Sequence, residues 1–325
     1  MKKFRVLSDL HLDLEGNEEL PIDDPTIFTI LCGDTSGNPE IGHAWISKNM
    51  TSGLIISGNH LPYNALDKTI QKQREDLAGK YSLNSPISYL DVETGIFSKE
   101  VDGILFIGTC MYSDMKISGP QNPTGDVNYN KIIAHNSMND YAWGIKEIKY
   151  YLGTDNDPTY VHITPTDYVS WFDNAYLKID KLLDDNEKTD LPKPVVLFTH
   201  FPLVKRIVQD SLYDGVNNNF ASYCSDKEEW IKSHPSIKCY CCGHVHDVAP
   251  KSRSFNLLHA DGSKCLVVNN ARGYVSRCHD LNFNPNTFVN TDTWEIEQIP
   301  EADEIINDKK RRHDALLMRA TWFFN

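Results

Sequence analysis

A chain of 325 residues, 40% hydrophobic and 24% charged, can bury one large core or two modest ones, and its make-up excludes a disordered or fibrous protein. With 32 Lys and Arg against 45 Asp and Glu, the net charge of −13 disfavours general attraction to nucleic acid or anionic lipid. No segment approaches the roughly 20 apolar residues that cross a bilayer, and a nucleotide substrate stays open because a bound dication reverses the field inside a cleft.

The opening Met1-Lys2-Lys3-Phe4-Arg5 runs into a short apolar stretch and reads as a first strand rather than a secretory leader. Further strands are predicted at residues 26–32, 54–57, 104–108, 195–199, 238–242 and 266–268, the first covering 4–8. All are short and apolar on both faces, as in a sheet covered on both sides. A helix is predicted over 65–80, and a second over 166–184, opened by a Thr-Pro-Thr-Asp cap signal. Along the second, Trp171, Phe172, Ala175, Ile179, Leu182 and Leu183 recur at three- and four-residue spacing. The alternation argues an α/β layered domain.

Between 111 and 165 the pattern weakens into turn chemistry such as Gly119-Pro120, Asn122-Pro123 and Asp155-Asn156-Asp157-Pro158. That is too long for an ordinary connection, so a cap-like insertion over the site is expected within one domain spanning 1–300. Residues 301–325 form a C-terminal helical extension whose basic run Lys309-Lys310-Arg311-Arg312 reads as a solvated helix face. The eight cysteines need not be staples in a chain of this size, and several lie in strand-like runs as small hydrophobes. Cys239, Cys241 and Cys242 lack a second pair at finger spacing, so no separate zinc site is expected there. A reducing cytoplasm is the simpler setting.

The chemistry-bearing residues are scattered in sequence but share one context, the carboxyl end of a strand, where loops converge on ligands in open α/β sheets. Asp9 and His11 follow the first strand, with Asp13 beyond them; Asp34 follows Gly33; Asn59 and His60 follow Gly58; His200 ends another strand; His244 and His246 follow Gly243. Together the five ends offer two carboxylates, one amide oxygen and five imidazoles, a mixture suited to two borderline-hard ions such as manganese, iron or zinc. In D-x-H and H-x-H alternate residues point the same way, so both can reach one centre. The preceding glycines permit tight turns and close approach. Singly each block is weak. Five in order are not coincidence.

In that order, D-x-H, G-D, G-N-H, H and G-H-x-H, the sequence resembles the calcineurin-like metallophosphoesterases. The resemblance implies a four-layer αββα sandwich of two mixed β-sheets flanked by helices, the metallo-dependent phosphatase fold. It implies that Asp9, His11 and His246 hold one divalent ion and Asn59, His200 and His244 a second, with Asp34 bridging and manganese favoured. The implied activity is phosphatase or phosphodiesterase hydrolysis, in which a hydroxide shared by two ions about 3.5–4 Å apart attacks phosphorus. His60 would stabilise the transition state or protonate the leaving group. Ile107-Gly108-Thr109, Asn139-Asp140-Tyr141 and Asn270-Ala271-Arg272-Gly273-Tyr274 look like features of a bacterial and phage branch.

Two departures stand out. Leu61 follows His60 where the family has Glu or Asp, leaving Asp13 as a candidate to orient the imidazole. Thr35-Ser36-Gly37-Asn38 follows Asp34 in place of the Asp-Arg pair of the phosphoprotein phosphatase branch, leaving Arg272 as a candidate anion grip. The implied partner is a phosphoester, with a small nucleotide slightly favoured and no particular oligomeric state. Tyr112, Tyr129, Tyr141 and Trp143 are candidates to stack on a base. A nuclease would need a basic track, hinted at only by the C-terminal run. A catalytically silent scaffold on the same fold is the other alternative; keeping every ligand and His60 speaks against it.

Overall fold

The structure, a computed structural model, describes residues 1–63, 68–154, 157–211, 219–301 and 303–322. In the first sheet β1 (Lys3–Leu7), β2 (Thr29–Leu31), β3 (Gly53–Ile55) and β4 (Ile87–Tyr89) run parallel in that order. Their register aligns Leu7 with Leu31 and Leu31 with Ile55, so the carboxyl ends come level. The other edge is closed by antiparallel β13 (Thr287–Asn290) and β14 (Glu295–Gln298).

The second sheet has a matching plan. Parallel β6 (Ile104–Thr109), β9 (Val195–Thr199), β10 (Ile237–Cys242) and β12 (Lys264–Asn269) form its centre, with antiparallel β5 (Ser98–Val101) and β11 (Ser254–Leu258) at the edges. Strand periodicity builds three layers of core from these runs. Phe4, Val6, Ile30 and Leu54 meet Phe106, Val196, Phe198, Cys239 and Cys241 between the sheets. Val195, Leu197, Tyr240 and Cys242 point the other way, onto Phe172, Ala175, Ile179 and Leu183 of helix α5 (Pro165–Glu187). Leu7, Leu31 and Ile55 cover the outer face of the first sheet with Trp45 and Ile46 of α1 (Pro39–Asn49). Two mixed sheets of six described strands each, with helices outside, make the αββα sandwich.

Helix starts follow their caps. Thr164 and Asp167 form a capping box with Pro165 inside the first turn of α5, which runs three residues past the predicted end at 184. The helix predicted over 65–80 is described as α2 (Ile70–Lys80), capped by Thr69; residues 64–67 lie outside the described residues. The weakly patterned stretch 111–165 contains α3 (Val127–Ser137), α4 (Asp140–Trp143) and a hairpin of β7 (Ile145–Thr154) with β8 (Asp157–His162).

The C-terminal helix, Asp303–Trp322, corrects the reading of its basic run as a solvated face. Lys310 and Arg311 are exposed, but Lys309 is buried, donating to the Phe283 carbonyl and Glu301 at 2.7 Å each. Arg312 grips both oxygens of Asp280 and donates to the Val275 carbonyl. The eight cysteines are free and buried. Among the described residues no helix is long and apolar enough to cross a membrane.

Candidate metal centre

Asp9, His11, Asp34, Asn59, His200, His244 and His246 each lie within four residues of the carboxyl end of β1, β2, β3, β9 or β10. Level strand ends would still leave extended loops pointing away, and sharp left-handed turns bring the side chains inward. Asp9, His11, Asp34 and His244 have φ of 54°, 45°, 48° and 63°, a region few non-glycine residues occupy. The glycines are equally constrained. A Cβ on Gly33 would strike the His200 ring, one on Gly58 the Asp34 carboxylate, and one on Gly243 the Ser8 and Asp9 side chains.

Asp9, His11 and His246 present ligand atoms within 4.8 Å of one another. His246 Nε2 donates to Asp9 Oδ1 at 2.9 Å and lies 3.3 Å from His11 Nε2. Asp9 also accepts from the Ser8 hydroxyl at 2.5 Å and from the His244 backbone N–H at 2.9 Å, which fixes the carboxylate. Burial works against its charge, but His200 and His246 outweigh it and hold the carboxyl below its usual range. Burial, together with His60 and His246, keeps His11 neutral, pushing its pKa well down.

Asp34 stands between this set and the next. Its carboxylate groups with His11 and His60 on one side, and with Asp9 and His200 on the other. Burial opposes its charge, and the imidazoles of His200 and His60 overcome that, so its carboxyl lies well below the ordinary range. His200 Nδ1 donates to the Cys32 carbonyl at 2.8 Å, which turns Nε2 toward Asn59 Oδ1 at 2.9 Å and Asp34 Oδ2 at 3.2 Å. Burial lowers the His200 pKa, yet Asp34 and Asp9 raise it to about 9. His244 is pushed well down by burial and by His200. Its ring is stacked on Phe201 at 3.9 Å and lies 5.1 Å from the His200 ring.

The donor set fits divalent ions. His244 Nε2 is a buried nitrogen without a hydrogen-bond partner among the described residues. An orphaned imidazole atom in a cluster with two ionised carboxylates is what a bound cation would satisfy.

His60 forms part of the wall of a cavity of about 480 Å³ that also meets Asp34, Asn59, His244 and His246. Its backbone N–H donates to Asp34 Oδ1 at 3.1 Å and its Nε2 lies 3.9 Å from Asp34 Oδ2. Tyr63 stacks on the ring at 4.3 Å and 25°. Asp13, considered as its orienting group, instead accepts from Ser36 Oγ and the Gly37 N–H.

No family model matches the sequence, and no curated protein matches it. Among solved structures, a phosphopantetheinyl hydrolase from Mycobacterium tuberculosis superposes with a TM-score of 0.52 at 15% identity, over 83% of this chain and 89% of that one. The chain has the metallo-dependent phosphatase fold.

Several candidates from the sequence lie elsewhere. Tyr112 and Tyr141 are buried in a cluster with Tyr168 and Phe201, while Tyr129 and Trp143 are exposed outside the cavity. Among the described residues, the tyrosines on the cavity wall are Tyr63, Tyr223 and Tyr274. Arg272 spends its guanidinium on the Asn17 and Glu19 carbonyls and is unavailable as an anion grip. Asp140 was legible only as part of a triplet. It is buried, and its carboxylate accepts from Asn59 Nδ2 at 2.8 Å, from Tyr168 at 2.9 Å and from the Tyr63 hydroxyl.

Proposed function

We propose that this chain hydrolyses phosphoric mono- or diesters with two divalent ions, manganese favoured. Asp9, His11 and His246 would hold one, Asn59, His200 and His244 the other, and Asp34 would serve both. The observation that carries this reading is Asp34, whose buried carboxylate lies within 4.8 Å of ligand atoms of Asp9 and His11 from the first proposed set and of His200 from the second. When bound, such a pair of ions acidifies water and neutralises charge on phosphoryl oxygens. The rest is work for the chain itself. The Ser8 hydroxyl and His244 N–H keep Asp9 turned inward, and the Cys32 carbonyl keeps the His200 Nε2 edge facing the centre. His60 would donate a proton to the leaving oxygen, a role supported by its position on the cavity wall beside Asp34.

Residues 137–140 on the same wall support reading the segment 111–165 as a cap. The similar solved structure is, by its name, also a hydrolase, which agrees with the class of reaction. Cysteines that are all free support a reducing compartment such as the cytoplasm.

The test uses the full chain, stripped of metal and reloaded with manganese, on p-nitrophenyl phosphate and bis(p-nitrophenyl) phosphate. Metal-dependent turnover of one or both is expected; a loaded chain that turns over neither sinks the reading. Asp34→Asn should abolish turnover and weaken loading of both ions, and wild-type rates in that variant would contradict a shared carboxylate.

A further inference from the structure

We infer that Arg277 selects substrates carrying a second phosphate beyond the one that reacts, an inference that rests on the hydrolase reading above. Among the described residues lining the cavity, Arg277 is the one Arg or Lys; Glu15, Asp34 and Asp140 supply negative charge, and the remaining polar groups are amides, hydroxyls and imidazoles. Its guanidinium lies over Tyr274, 5.3 Å from the ring centroid. That ring is in turn 4.8 Å from the His11 ring and 4.9 Å from the His246 ring. The cation therefore stands one aromatic ring outward from the candidate ligands. Tyr274 keeps it off the phosphoryl group they would hold, but leaves it within reach of the next substituent along the substrate.

The position is built rather than incidental. Arg277 sits in the short turn Val275–Arg277, whose N–H closes on the Tyr274 carbonyl at 2.9 Å. The following residue, Cys278, has a left-handed φ of 58° that ends the turn. From below, Arg312 of the C-terminal helix donates to the Val275 carbonyl at 3.2 Å and clamps Asp280 with two bonds. Asp280, the nearest carboxylate in sequence, is thereby spent on Arg312, and among the described residues no carboxylate forms an ion pair with Arg277. Arg277 is exposed on this fixed turn, and its guanidinium matches phosphate as a planar fork. In a chain of net charge −13, one cation at the cavity mouth would also sort incoming substrates by charge.

The test is calorimetric binding of adenosine 5′-phosphate and adenosine 3′,5′-bisphosphate to the manganese-loaded full chain, with Arg277 wild type, R277Q or R277K, each in a His60→Ala background that slows hydrolysis of the ligands. The wild type is expected to hold the bisphosphate about tenfold tighter, the scale of one charged hydrogen-bonding pair. R277Q should erase that advantage and R277K keep part of it. An advantage that survives R277Q, or no advantage in the wild type, overturns the inference. Binding needs no turnover, so the two readings fail separately. A chain that hydrolyses neither nitrophenyl ester yet shows the Arg277-dependent preference sinks the hydrolase reading alone. Turnover without the preference sinks this one.

Discussion

Asn59 has two chemically opposite faces, and only its oxygen can ligate a cation. Which face points inward is decided by Asp140, whose buried carboxylate can only accept and so takes the amide N–H at 2.8 Å. Burial raises the Asp140 pKa, and the donors from Tyr63, Asn59 and Tyr168 work to keep it an acceptor. Asp140→Asn replaces one accepting oxygen with a donor amide in a site already full of donors. Manganese affinity is expected to fall about 10–100-fold, as for other groups that orient a ligand. The check is metal retained through graded chelator dialysis, with lost turnover restored by excess manganese. Affinity equal to wild type would mean that Asn59 is held by something else. The ligand candidates were legible because each lies in a short local block at a strand end. Asp140 and Tyr274 stood in blocks that the sequence marked, but their roles did not show; the partners of Asp140 lie 81 and 28 residues away and only folding brings them together. Arg277 was not marked at all, since no local pattern singles out a residue that meets the site across a turn.

Among elements, the parallel strands at the sheet centres were readable, whereas the inner antiparallel β13 and the edge strands were not, and for three of the edges the reason is visible in their exposure. A central strand such as β9 is buried at every position, whereas β5, β11 and β14 keep polar residues facing outward and carry no apolar run. Helix α1 escaped because Gly42 and Asn49 interrupt its apolar face, and α3 because Asn128, Asn130 and Asn136 weaken its helical signal. How α2 docks was equally hidden. Its Arg74 pairs with Asp91, just past β4, at 3.3 Å, and both side chains are about fully buried. The Arg74 guanidinium also lies 4.8 Å from the Trp171 ring of α5. Removing the carboxylate strands a buried cation, so Asp91→Ala should cost about 3–5 kcal/mol of stability, read from the urea midpoint. A loss below about 1 kcal/mol would put the pair on the footing of a surface ion pair.

For the molecule as a whole, the candidate centre joins the two sheets where their shared core ends. Asp9, His11, Asp34 and Asn59 leave the first sheet, and His200, His244 and His246 leave the second. Between the sheets the contact is apolar and non-directional, built from residues such as Phe4, Val6, Phe106 and Phe198. At the edge it is polar, and it gathers two carboxylates and four imidazole ligand candidates, buried except for the half-buried His246. Ions held there would tie sheet to sheet, because each proposed ligand set draws on both. Metal should therefore stabilise the native chain by mass action, by about 4 kcal/mol per site at a thousandfold excess over Kd. Chelated protein is expected to melt lower than the reloaded form, with a Tm that climbs with manganese concentration. In Asp34→Asn that climb should shrink, because both sites lose the carboxylate they share. A Tm indifferent to metal in the wild-type chain would mean that the cluster holds the sheets together by its own hydrogen bonds, and that no cation spans them.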